Sequence, residues 1–232
     1  MINLLKTLSE MMRGKPIRGP RIYLRPPHRR DFKAWIALRA ASSAFLTPWE
    51  PTWARDALTR RAFLRRLRAH AIHSGADTGY TFFVFRAEDD ALLGGISLNN
   101  VRRGVAHSCN IGYWIGEAHA RQGYMTEALG VLLPFAFDRL RLHRVEAACL
   151  PNNKPSKALL MKIGFREEGF ARRYLRIDGE WRDHVLLGML ASDPRPVRAP
   201  RPESVERRPP ARQAAAGAFA PASRSQLKTG RG

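Results

Sequence analysis

An apolar run, Asn110-Ile111-Gly112-Tyr113-Trp114-Ile115-Gly116, is followed shortly by Arg121-Gln122-Gly123-Tyr124-Met125-Thr126-Glu127. From Met125 the apolar residues Met125, Leu129, Leu132, Ala136 and Leu140 recur at spacings of three and four, which predicts an amphipathic helix. The pattern is therefore a buried strand, a short turn and a helix. A glycine at the start of the helix permits a tight turn and lets a ligand approach the main chain. The first-turn amides have no partner within the helix, and the helix dipole adds roughly half a positive charge there. Together these parts form a cradle for an anion. An ordinary strand–helix connection has the same parts, so the cradle alone does not decide a function.

A second element narrows the reading. Asn153-Lys154-Pro155-Ser156 opens an amphipathic helix with Leu159, Leu160 and Ile163, closed by Gly164-Phe165. These two elements, in this order, resemble the GNAT superfamily of acetyl-CoA-dependent N-acetyltransferases. The runs Phe45-Leu46-Thr47-Pro48-Trp49-Glu50-Pro51 and Trp181-Arg182-Asp183-His184 are similar to its ribosomal-protein N-terminal acetyltransferase branch. The resemblance spans roughly residues 21–190. It implies an α/β domain of the GNAT fold, a mixed central sheet of about seven strands with about four flanking helices. It also implies transfer of an acetyl group from acetyl-CoA to a primary amine, with the N-terminal α-amine of a ribosomal or other cytoplasmic protein as acceptor. Two other readings stand beside it: acetylation of a small-molecule amine, and a non-catalytic acyl-CoA- or RNA-binding module.

Composition sets the class. With 232 residues the chain is long enough for one packed domain plus tails. No apolar stretch approaches the roughly 20 residues that span a bilayer, and residues 1–20 do not read as a secretory signal. Cys109 and Cys149 fall in expected strands without metal-ligand spacing, which reads as reduced core thiols in a cytoplasmic protein. The histidines show no paired metal-ligand spacing, so no metal is expected. The net charge of +20 divides as +3 over 1–20, +11 over 21–190 and +6 over 191–232. It is consistent with attraction to a polyanion such as ribosomal RNA, and equally with a solvated arginine-rich surface.

Residues 191–232, rich in proline, arginine and alanine, predict a disordered tail. The first twenty residues form an N-terminal extension with a short amphipathic pattern at Leu4, Leu5, Leu8, Met11 and Met12. Between them, strands are expected at 21–25, 80–86, 92–101, 107–115, 145–150, 165–177 and 181–190. Helices are expected at about 31–41, 55–73, 124–139 and 153–163, with a loop around Trp49 and Trp53. Asp178-Gly179 suits a type I′ hairpin turn. Pro134 should kink its helix, with Gly130 giving the backbone room to bend and tertiary packing offsetting the cost.

The resemblance implies roles for particular residues. The diphosphate of acetyl-CoA would lie against the amides of Arg121, Gln122, Gly123, Tyr124, Met125 and Thr126, and the pantetheine arm against Trp114, Ile115 and Asn153. The superfamily's usual first and last positions of this motif are here Ala120 and Met125, while Gly123 is retained. Ser156, by its place in Asn-x-x-Ser, is the candidate for stabilising or protonating the departing thiolate; the tyrosine common four residues later is here Leu160, which leaves a water or a backbone amide as the alternative. Asn153 also reads as a helix N-cap, worth about 1 kcal/mol. Glu146 is the candidate acceptor of the amine proton, directly or through water, or else a glutamate paired with arginine. The acceptor groove is expected between Trp49, Glu50, Asn99, Tyr174, Asp183 and His184, with Glu50 or Asp183 drawing in a protonated terminus. An α-amine titrates near 8 and lysine near 10.4, a difference of about 3 kcal/mol in deprotonation work, so a site without a strong base suits an N-terminal acceptor.

Overall fold

The computed structural model describes residues 15–195. The expected N-terminal amphipathic segment up to residue 14, and the tail beyond residue 195, lie outside the described residues. The strands are β1 (Ile17–Arg18), β2 (Ile22–Arg25), β3 (Tyr80–Arg86), β4 (Leu92–Arg102), β5 (Ser108–Ile115), β6 (Arg144–Cys149), β7 (Arg166–Ile177) and β8 (Glu180–Leu190). The helices are α1 (Phe32–Ala41), α2 (Ser43–Leu46), α3 (Arg60–Gly75), α4 (Tyr124–Pro134) and α5 (Lys154–Ile163).

The strands form one sheet in the order β1-β2-β3-β4-β5-β6-β8-β7. Every pairing is antiparallel except β5 with β6. Parallel neighbours need a crossover, and α4 supplies it. The sheet is covered on both faces. Tyr80, Phe82 and Val84 of β3 join the main core with Leu129, Leu132 and Val145. Phe83 and Phe85 of the same strand join an aromatic cluster with Trp35 and Phe63 on α1 and α3. Burial on both sides explains why β3 reads as a nearly continuous apolar run rather than an alternating one. Truncating one of the fully buried leucines, Leu129 or Leu132, to alanine costs about 2–5 kcal/mol.

Several boundaries differ from expectation. Ile17–Arg18 adds an eighth strand ahead of residue 21, paired with Leu24 and Tyr23. At the other end, Asp193 accepts from the Leu190 amide at 2.8 Å and Arg195 pairs with Asp138 at 3.0 Å, so described residues past 190 still fold onto the domain. α3 begins at Arg60 rather than near 55, because Thr59 caps it by accepting from the Ala62 amide at 3.2 Å. Part of the expected Trp49 loop is helical: α2 runs into a 3-10 turn at Thr47–Trp49. At Pro134 the α-helix ends and a π-helical turn, Phe135–Arg139, takes over, so the irregularity spreads over five residues. Asp178 (φ 46°) and Gly179 (φ 81°) have the paired positive φ of a type I′ turn between Ile177 and Glu180.

Candidate active site

Between β5 and α4 the chain turns through two left-handed residues, Arg121 (φ 61°) and Gly123 (φ 82°). Glycine adopts this conformation freely, whereas a side chain there costs about 1–2 kcal/mol, so Arg121 stores strain at the turn. A Cβ on Gly123 would stand 3.2 Å from Nη2 of Arg21 and crowd the turn. α3 and α5 are capped by the side chains of Thr59 and Asn153, but α4 has no side-chain cap. Its first-turn amides are thus left for a ligand. Arg21 braces this turn from β2. It donates through Nη1 to the Gln122 carbonyl at 3.2 Å and through Nε to Glu127 at 3.0 Å. The same Glu127 carboxylate accepts from the backbone amides of Arg21 and Ile22. Gln122 turns its amide back to the Ala118 carbonyl at 2.8 Å, and Met125 is buried in the core, so the turn presents backbone more than side chains. The arrangement fits a diphosphate: free amides, a helix dipole and a cation within one turn.

β5 and β6 pair only at Ser108↔Arg144, Cys109↔Val145 and Asn110↔Glu146. Beyond that point β5 continues along β4 to Ile115, while β6 continues along β8 to Cys149. The two strands part like a wedge whose apex is Glu146. Trp114 and Ile115 lie on the β5 arm. Asn153 and Ser156 open α5, which follows the β6 arm, and Asn153 accepts from the Ser156 amide at 3.2 Å. One side-chain contact bridges the arms: the Tyr113 hydroxyl lies 2.8 Å from Ser156 Oγ. Burial pushes the Tyr113 phenol up to about 12, against the opposing effect of the Ser156 hydrogen bond. The phenol therefore keeps its proton near neutral pH, and either hydroxyl can donate to the other.

On the acceptor side, an open cleft of about 1330 Å³ leads to Glu146. It is walled by α3, the 50–54 loop, β4, β5 and Tyr174 of β7. Glu146 receives Arg144 Nε at 3.0 Å on one oxygen, and Arg102 Nη2 at 2.9 Å and Asn110 Nδ2 at 3.2 Å on the other. A carboxylate offers about four acceptor positions, so capacity for one further proton donor remains. The wall is a layered stack. The Arg39 guanidinium lies 4.2 Å from the Trp53 ring centroid and 4.9 Å from that of Trp114. Glu50 clamps Arg39 with two bonds of 2.7 and 2.6 Å and also accepts from Trp53 Nε1 at 2.7 Å. Gly95 leaves room for the Trp114 indole, which a Cβ there would strike. On α3, His70 lines the cleft with its Nδ1 buried and unbonded among the described residues. Burial pushes its imidazole down to about 4, helped by the charges of Arg66 and His73.

Of the residues expected around the groove, Glu50, Asn99 and Tyr174 line the cleft, together with Glu146 and Trp114. Trp49, Asp183 and His184 do not. Trp49 ends the 3-10 turn, and Trp53 occupies the wall instead. Asp183 accepts from the Arg173 amide at 2.7 Å at an irregularity of the β7–β8 pairing. His184 is 3% exposed, bonded at 3.0 Å to the Arg182 carbonyl and edge-on to Tyr174. Of the two carboxylates expected to draw in a protonated terminus, Glu50 lines the cleft with Arg39 and Trp53 on it, and Asp183 lies outside the lining. Sequence reasoning missed Tyr113, Arg39, Trp53 and Arg21. Tyr113 lay inside the quoted apolar run and was legible only as a strand residue. Arg39 carried one signal, a charged residue amid the apolar positions of α1.

Comparison with known proteins agrees with this geometry. Residues 21–166 match the model of the acetyltransferase (GNAT) domain family. The probable N-acetyltransferase YjcK of Bacillus subtilis is 35% identical over 177 residues, covering 76% of this chain and 98% of that protein. The [ribosomal protein uS5]-alanine N-acetyltransferase of Escherichia coli is 34% identical over 178 residues, covering 77% and 92%. Among solved structures, Mycobacterium smegmatis RimJ in complex with CoA-disulfide superposes with a TM-score of 0.71 at 35% identity, over 76% of this chain and 86% of that one.

Proposed function

We propose, starting from a chain that belongs to the GNAT acetyltransferase family, that its acceptor is the N-terminal α-amine of a protein, a ribosomal one first of all. Membership carries the chemistry: the protein is an acetyl-CoA-dependent N-acetyltransferase. The acceptor assignment rests on the cleft. At about 1330 Å³ and open to solvent, it exceeds the roughly 300–1,000 Å³ of pockets that enclose small ligands, and suits the end of a polypeptide. The similarity to an enzyme named for ribosomal protein uS5 supports the same direction. Such an acceptor places the reaction in the cytoplasm.

In this reading the amides of residues 121–126 hold the diphosphate of acetyl-CoA, and the parted strand at Trp114 and Ile115 receives the pantetheine arm beside Asn153. The amine nitrogen forms its bond to the acetyl carbon as the carbon–sulfur bond breaks. One proton leaves the amine and one joins the thiolate. Glu146 takes the first through a water, using its remaining acceptor capacity. Ser156 gives the second and takes a proton back from solvent, its Oγ held in place by the Tyr113 hydroxyl 2.8 Å away. No strong base is required, because an α-amine near pKa 8 is already about one-tenth free at neutral pH.

The experiment is acetyl transfer to a peptide panel read by mass spectrometry. Peptides with a free N-terminal alanine or serine should be acetylated on the α-amine. The same peptides blocked at the terminus but carrying lysine should be inert. Turnover confined to small polyamines would overturn the acceptor assignment.

A further inference from the structure

α3 concentrates positive charge against the usual electrostatic preferences of a helix. Its 16 residues include Arg60, Arg61, Arg65, Arg66 and Arg68 and no acidic residue. Arg60 and Arg61 stand in the first turn, at the positive end of the dipole, where anions rather than cations are favoured. Arg61 with Arg65, and Arg65 with Arg68, are like-charged neighbours at spacings of four and three, which repel. Several arginines elsewhere have carboxylate partners, as in Arg25–Asp31, Arg86–Asp89, Arg103–Asp77 and Arg144–Glu168. Beside α3 only Asp56 pairs, with Arg65, and both side chains are about half exposed. Arg60, Arg61, Arg66 and Arg68 form no ion pair among the described residues. Burial and the charge of Arg39 even disfavour the cationic form of Arg66. A helix that accumulates such costs without internal compensation is expected to find its compensation in a partner.

The placement says what kind. Arg66, His70 and His73 form one row along α3 and line the cleft. Arg61, Arg65 and Arg68 form the next row, are exposed, and do not line it. The charge therefore starts at the rim of the cleft and continues for about 10 Å over a face that an acceptor terminus in the cleft does not touch. The basic residues of α3 are arginines without a single lysine. Guanidinium groups bind phosphate oxygens with two parallel bonds, and an extended phosphate backbone offers them in a row.

We propose that the Arg61/Arg65/Arg68 face of α3 docks on RNA phosphates beside the mouth of the acceptor cleft. This goes beyond the acetyl-transfer reading and is tested by binding rather than turnover, so either can fail alone.

The experiment measures fluorescence anisotropy of a labelled single-stranded RNA with the full-length chain across a salt series. The whole chain is used in every arm, so any contribution of the basic tail is common to all. Neutralising three single-strand phosphate contacts in R61Q/R65Q/R68Q should flatten the slope of log K against log salt by about 2, because roughly 0.7 counterion is released per contact. Removing the same charge at exposed positions elsewhere, in R29Q/R141Q/K162Q, should leave the slope near that of the unmodified protein. R61K/R65K/R68K should retain the slope with weaker binding, which guards against a folding defect in the glutamine variant. Equal slopes in the glutamine variant and the unmodified protein would overturn the proposal. So would no RNA binding, or preferential binding of polyglutamate, which would mark an acidic protein as the partner.

Discussion

Between residues 121 and 127, a single run of sequence supplies a candidate binding surface made of backbone: two left-handed residues, an uncapped helix start and a bracing arginine from β2. The candidate acceptor cleft, by contrast, draws its lining from α1, the 50–54 loop, α3, β3, β4, β5, β6 and β7. Its carboxylates are neutralised internally, Glu50 by Arg39 and Glu146 by Arg102 and Arg144. The first kind of site tolerates side-chain change as long as the dihedral angles survive. The second has little tolerance, because removing one member of a half-buried pair leaves its partner uncompensated.

The strongest challenge to this contrast falls at the junction of the two regions. Glu146→Gln should lower kcat by about 100-fold, the lower range for loss of a positioned proton acceptor, with acetyl-CoA affinity unchanged. It should also steepen the pH–rate profile between about 6 and 8, where α-amines titrate. Tyr113→Phe, on the thiolate side, should lower kcat less and leave that profile alone. An unaltered profile in Glu146→Gln would remove Glu146 from proton transfer.

Next in size is the backbone site. Gly123→Val forces a β-branched residue to φ 82° against Arg21 and should raise the acetyl-CoA dissociation constant by about tenfold. Gln122→Ala should change it little, since that side chain only returns to Ala118. Calorimetry giving the reverse ranking would mean that the turn binds through side chains after all.

The smallest effect concerns the cleft wall. His70 is held near 4 in the folded protein against an ordinary 6.5. Between those values the unfolded chain binds a proton that the folded one does not, so stability falls as pH drops from about 6.5 to 4 and loses nothing more from this group below that. His70→Leu should flatten the melting temperature over that window. An unchanged curve would show that His70 is not held neutral.

Much of the fold and part of the site were legible from local pattern. The glycine turn, the Asn153 cap, the Asp178-Gly179 hairpin and the helical spacings all follow from dihedral preferences and periodicities that residues a few positions apart impose on one another. The errors lay elsewhere. Trp49 and Trp53 are chemically alike, and only the packing of the loop on Arg39 decides which one faces the cleft. Asp183 and Glu50 look like free carboxylates until the β7–β8 irregularity and α1 supply their donors.

By itself the sequence determined a strand–turn–helix with open amides, because the freedom of Gly123 to turn and the apolar spacing of α4 are local properties. Only the tertiary structure decided that Tyr113 meets Ser156 across 43 residues, that Arg21 braces a turn 101 residues away, and that Glu146 sits at the apex of the wedge. Those contacts join residues far apart in sequence, and only the pairing of the strands and the packing of the helices on the sheet bring them together.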